Sequence, residues 1–275
     1  MKHYISIFIL FILVSCGQTE IKKVIYTFPN GIVGKVRYYS DESDTLTYRI
    51  EVFYLSGKRD FVGNFVEDRK EGVWTWWYEN EKIKDKCKYK EGYYIDTIYH
   101  WYENGNLRQI EFLSGQIGEK VGDKYSGTTI RYFENGKIKE QITTIDDKLE
   151  GKHIVYNEKG GWYMRTYSNN KLWGPTIEYC LDSNNETAVG QFMNGKEHGL
   201  WKWFDKDSII FKTAVYKNGI WEGPYILYYT NGKIKESSIL KNGTYDGEVK
   251  YFDENAKQTK TEFYEDGKLK WTKKK

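Results

Sequence analysis

The feature that most limits what this chain can fold into is a turn that returns in phase. "YFENGKIKE" occupies residues 132–140 and "YYTNGKIKE" residues 228–236, so Asn135 and Asn231 stand 96 residues apart, four times 24. Marking the first residue of each comparable turn gives Ser56, Asn80, Asn104, Asn135, Lys159, Asp182, Asp207, Asn231 and Asn255. The steps between them are 24, 24, 31, 24, 23, 25, 24 and 24. Three positions before each marker stands an aromatic residue: Phe53, Trp77, Trp101, Tyr132, Tyr156, Tyr179, Phe204, Tyr228 and Phe252. Aromatics make up 17% of the chain, so nine in one column reflect the fold. Self-similarity at this period signals an array in which each repeat is one supersecondary unit.

A second turn follows about eleven residues after the first, at Glu91-Gly92, Asn194-Gly195, Asn218-Gly219, Asn242-Gly243 and Asp266-Gly267. Short runs rich in Tyr, Trp, Ile, Val and Phe lie between the turns, such as VWTWWYE and YILYYT. Runs of this kind bounded by Asn-Gly or Asp-Gly read as strands in tight hairpins, whose central residues need positive φ. A Gly tends to open the first strand of each unit (Gly72, Gly127, Gly151, Gly174, Gly199, Gly223, Gly247), and Pro175 and Pro224 follow two of them. Pro is tolerated at the first residue of a strand. The expected fold is therefore all-β: one elongated antiparallel meander sheet of tandem hairpin repeats of about 24 residues. About eighteen strands would extend roughly 80–90 Å. The column would form an aromatic stripe that packs along one face.

EGVWTWWYENEKIK, HGLWKWFDKDSII and EGPYILYYTNGKIKE resemble MORN repeats, in the variant found in YwqK-like antitoxin-family proteins. The resemblance covers about residues 45–270 and rests on copies that recur in phase. It implies a sheet of stacked hairpins used for interaction, and it brings no catalytic residues. The chain departs from the pattern at Lys159-Gly160-Gly161-Trp162, at Asp182-Ser183 and at Ala256.

The chain divides into a leader at 1–15, a tether at 16–24, an irregular N-terminal capping hairpin at 25–48, the repeat array at 49–270 and a solvated basic tail at 271–275. Lys2 and the apolar run Ile5–Val14 form an export signal, too short for the roughly 20 residues that span a bilayer. Leu13-Val14-Ser15-Cys16 resembles a bacterial lipobox, which implies that Cys16 carries a thioether-linked lipid and acyl chains such as palmitate. Several chains on one residue give durable attachment. Gly17 and Gln18, with no Asp after Cys16, point to the outer membrane, facing the periplasm or the surface. The longest step inserts residues 114–123, a Gly-rich charged loop that is either a tolerated insertion or a functional one.

The chemistry expected is that of a surface. Formal charge is +3 over 275 residues, which gives no electrostatic case for nucleic acid. Glu79, Glu103, Glu134, Glu158 and Glu254 recur just before the turn markers, as solubilising charges would. His100, His153 and His198 fall in different units and Cys87 lies far from Cys180, so no metal, cofactor, catalytic site or disulfide is expected. The register beside the column, Trp74, Trp76, Tyr78, Trp201, Trp203, Tyr225 and Tyr229, is aromatic in some units and polar in others (Arg131, Glu178, Asp205). Partly exposed aromatic patches of that kind mark binding surfaces. The chain therefore reads as a non-enzymatic, lipid-anchored scaffold for an envelope protein or glycan. An antitoxin or immunity lipoprotein that neutralises a toxin is the alternative, and a glycan-active enzyme the third reading.

Overall fold

The computed structural model describes residues 20–115, 125–179 and 187–275, and among them every regular element is a strand. There are 24 strand segments in one sheet. Three of them, Lys148–Leu149, Lys171–Leu172 and Thr244–Tyr245, are two-residue pieces that run on after one residue into the next strand. With each piece counted as part of the strand it runs into, every strand pairs antiparallel with the next one along the chain, from Ile21–Thr27 with Val33–Tyr39 to Gln258–Glu265 with Lys268–Lys274. Among the described residues the first and last strands each have a single neighbour, so the meander is open. Cys16, Cys180 and residues 116–123 of the insertion lie outside the described residues.

The two turns of each unit differ, and each has its own physics. At Glu91-Gly92, Asn194-Gly195, Asn218-Gly219, Asn242-Gly243 and Asp266-Gly267 both central residues have positive φ, as a two-residue hairpin matched to the strand twist requires. The marked turns take positive φ at one residue only, for example Gly136 and Gly232. There Glu81 N–H donates to Tyr78 O at 2.9 Å, and Tyr78 N–H donates to Lys82 O at 2.8 Å. This is a three-residue loop that closes on a left-handed residue. The Asn marker secures it: Asn80, Asn104, Asn135 and Asn231 each accept at Oδ1 from the backbone N–H two residues on.

Of the glycines expected to open strands, Gly127, Gly151, Gly174 and Gly247 do so, whereas Gly72, Gly199 and Gly223 sit inside longer strands. Arg69–Trp77 begins three residues before Gly72, whose φ of +69° marks a bulge. Gly199 and Gly223 repeat the arrangement, and Pro224 follows its bulge, where a missing N–H is tolerated. Both ends also differ from expectation. The N-terminal hairpin starts at Ile21, inside the expected tether, and Lys268–Lys274 is a paired strand where a solvated tail was expected.

Successive residues point to opposite faces of a sheet. One face carries Tyr39, Tyr48, Ile50, Trp74, Cys87 and Tyr89, all buried and packed together. Phe61 stacks on Trp74 and Phe65 meets it edge-on, with centroids 5.8 and 5.2 Å away. A sheet one layer thick has few other ways to remove apolar area from water. Truncating Trp74 to Ala would cost about 3–5 kcal/mol.

Candidate interaction surface

On the face that carries Trp74, two aromatic clusters flank a charged stretch. The second cluster gathers Phe192, Trp201, Trp203, Tyr216 and Trp221, with neighbouring ring centroids 5.4–6.3 Å apart. Between the clusters the same register turns polar. Asp85 Oδ1 lies 2.5 Å from His100 Nδ1, and Glu111 Oε1 lies 3.3 Å from His100 Nε2. Gln109 donates to Glu111 and accepts from Arg131 Nε at 3.0 Å. Arg131 donates to Glu140, whose other oxygen lies 2.7 Å from His153 Nε2. Arg165 donates through Nε and Nη2 to Glu178 Oε1, at 3.0 and 2.5 Å.

Alternating charge makes this ladder self-neutralising. Burial alone would lower the pKa of His100, but its hydrogen bonds to Asp85 and Glu111 outweigh that and raise it to about 9. Burial would raise Glu111, and the His100 contact holds it below the usual carboxylate value. Glu140 is lowered against burial by Arg131 and His153. His100 and His153 thus share one face through a chain of hydrogen bonds and one ion contact, that of His100 with Glu111. Among the described residues no cluster of His, Cys, Asp and Glu suits a metal ion.

The expected binding residues fall into three groups. Trp74 and Trp201 are 2% and 5% exposed, so they are core, and exposed aromatics do not occur at those two positions. Trp76, Trp203 and Tyr225 are half-buried on the same face. Tyr78 and Tyr229 are pegs between units: Tyr78 Oη donates to Trp101 O and Tyr229 Oη to Phe252 O, both at 2.7 Å. Tyr54 and Tyr102 do the same toward Trp77 O and Tyr132 O. Where this position is Asn157, Asp205 or Asp253, the side chain instead accepts backbone N–H groups of its own turn. The exceptions Arg131 and Glu178 are members of the ladder, whereas Asp205 is a turn residue.

The aromatic column occupies the opposite face. Phe53, Trp77, Trp101, Tyr132, Tyr156, Phe204, Tyr228 and Phe252 are all half-buried, so the column supplies less of the core than expected. Five have an aliphatic partner just across the hairpin, Trp77 with Ile83, Trp101 with Leu107, Tyr132 with Ile138, Phe204 with Ile210 and Tyr228 with Ile234, while Phe53, Tyr156 and Phe252 face Arg59, Trp162 and Gln258. Ile83, Ile138 and Ile234 are each 37% exposed, so the pairs form an apolar strip open to water. Sequence reasoning found the column but missed the strip. The Ile in Asn-Gly-Lys-Ile was the available signal.

The profile of the MORN repeat variant matches residues 70–91, 125–146, 197–218 and 221–242. Each match spans a strand, a marked turn and the returning strand. These are MORN repeats. The units outside the four matches keep the same strand pairing, for example Gly247–Phe252 with Gln258–Glu265. No curated protein matches the chain. Among solved structures, the Photorhabdus luminescens Tc holotoxin pore with the mutation TccC3-D651A is similar over 93% of this chain and 20% of its own, at 10% identity and a TM-score of 0.18. This chain therefore spans about a fifth of that protein, and a likeness at that score carries no argument.

Proposed function

We propose that this protein is a non-enzymatic, lipid-anchored component of a bacterial cell envelope whose MORN sheet is a scaffold for binding a protein or a glycan. One observation supports the reading above others: the aromatic–aliphatic pair recurs at one register along one face and stays partly open to water. A rigid array orders such groups before the partner arrives, so many modest contacts add without a further entropy cost. Attachment through Cys16 would hold the sheet near the membrane. A toxin is one protein partner that the family resemblance suggests.

The test compares the chain from Gly17 with a variant carrying Ile83→Asp, Ile138→Asp and Ile234→Asp as baits on envelope extract. An envelope protein or glycan retained by the first and lost by the second is the expected result. A partner held equally by both, or none held by either, overturns the reading. Labelled palmitate should enter the full chain and fail to enter the Cys16→Ala variant.

A further inference from the structure

Six units carry a left-handed glycine at one register, and in five of them its partner on the following strand is aromatic: Tyr89, Tyr167, Phe192, Tyr216 and Tyr264 pair with Gly72, Gly151, Gly174, Gly199 and Gly247. In the sixth, Gly223 pairs with Leu240. Where a ring is missing, the face that carries Trp74 has a hollow of about 300 Å³, walled by Trp221, Tyr225 and Tyr245. Leu240, 5% exposed, forms the floor, and Gly243, Thr244 and Gly267 complete the rim with only one small side chain.

The rings make a corner. Trp221 and Tyr225 have centroids 5.8 Å apart at 50°, and Tyr225 and Tyr245 lie 6.5 Å apart at 80°. Tyr216 backs Trp221 at 6.0 Å and Tyr264 backs Tyr245 at 5.2 Å, so both outer walls are braced. A flat sugar ring uses one open platform, whereas a round cation uses several faces at once. The electrostatics agree with a cation. Tyr245 Oη donates at 2.7 Å to Glu236, a carboxylate only 7% exposed, which enriches the ring in electron density. No Lys or Arg lines the hollow. Faces of Trp and Tyr attract cations through their quadrupoles, most strongly where water is excluded.

We infer that Trp221, Tyr225 and Tyr245 form a cage for a quaternary ammonium group, with Leu240 as its floor and Glu236 as the charge behind it. The inference goes beyond the scaffold reading and stands or falls separately from it. A free small molecule and a lipid headgroup both offer such an ammonium, and the test separates the two.

Choline chloride is titrated into the purified full chain, followed by tryptophan fluorescence, with 3,3-dimethyl-1-butanol as the neutral isostere. Choline should bind roughly tenfold more tightly than the isostere. Leu240→Tyr restores the ring found in other units and fills the hollow, so it should keep or raise Tm and abolish binding. Tyr245→Phe keeps the wall but cuts the link to Glu236, and should weaken choline several-fold without affecting the isostere. Competition by phosphatidylcholine vesicles, absent with phosphatidylglycerol vesicles, would assign the headgroup. No competition by either would assign a soluble ammonium. Equal affinity for choline and isostere, no saturable choline signal, or choline binding unchanged by both substitutions overturns the cage.

Discussion

A methyl group added at Gly63 would lie 2.1 Å from Trp74 Cδ2, and one at Gly190 2.2 Å from Trp201 Cδ2. Each glycine is a seat for an indole, and the spacing of eleven residues from glycine to Trp is the same in both units. Neither has positive φ, so the demand for Gly here is one of space. Gly63→Ala and Gly190→Ala should each destabilise by about 1–3 kcal/mol, the range of overpacking, as read by urea denaturation. An unchanged midpoint would show that the indoles move aside at little cost. The charged ladder gives a second prediction. The folded pKa of His100 is raised from 6.5 to about 9, so its contribution is complete below pH 6.5 and is lost as pH rises through 9. Glu111 and Glu140 are lowered, so their contributions are lost as pH falls below the ordinary carboxylate value of 4.5. Stability should decline on both limbs, and His100→Gln should flatten the alkaline one. Persistence of the full alkaline slope in that variant would assign it elsewhere. These residue-scale features were only half legible in sequence. Aromatics populate both faces of each strand, so composition and alternation do not say which face is buried. What decides it is a glycine across the hairpin from Trp74, and that pairing needs the register.

Between units, regularity comes from a phenol. Tyr54, Tyr78, Tyr102 and Tyr229 each send a hydroxyl to the carbonyl of the column residue one unit on, at 2.6–2.7 Å. Asn80, Asn104 and Asn231 add a parallel bond from Nδ2 to Glu103 O, Glu134 O and Glu254 O. The turn motif therefore does two jobs: its Oδ1 closes its own loop and its Nδ2 holds the neighbouring one. Tyr78→Phe should cost about 0.5–1.5 kcal/mol, the net value of one hydrogen bond. Replacing all four tyrosines should cost close to the sum, because they touch no common partner. Equilibrium denaturation of the single and quadruple variants checks this, and a quadruple variant no weaker than one single would refute the peg role. The period, hairpins and turn positions were legible because turn chemistry is local. The bulges were not. A Gly with positive φ serves equally at a strand start and inside a strand, and only the pairing of Arg69–Trp77 on both sides separates the two cases.

At the scale of the molecule, the open meander leaves, among the described residues, two edge strands with a neighbour on one side only, and unguarded edges template association. The C-terminal edge strand Lys268–Lys274 meets this with charge: Lys268, Lys270, Lys273 and Lys274 are all exposed along it. At the other end, Lys22 and Lys23 lie on Ile21–Thr27, so docking the two ends of different copies would bring like charges together. Trp271 also covers Phe263, with centroids 5.5 Å apart and planes 6° from parallel. Ending the chain after Glu265 would remove the lysines, uncover Phe263 and turn Gln258–Glu265 into an edge that carries one Lys against two Glu. That truncated chain should self-associate with rising concentration in sedimentation velocity, while the full chain does not. Replacing the four strand lysines by Thr separates the causes, because the strand remains and the charge goes. Association of the Thr variant would identify charge as the guard. Its absence, with association of the truncated chain alone, would place the guard in the covering strand itself. If neither variant associates, the edge needs no guard, and the lysines have no role in keeping copies apart.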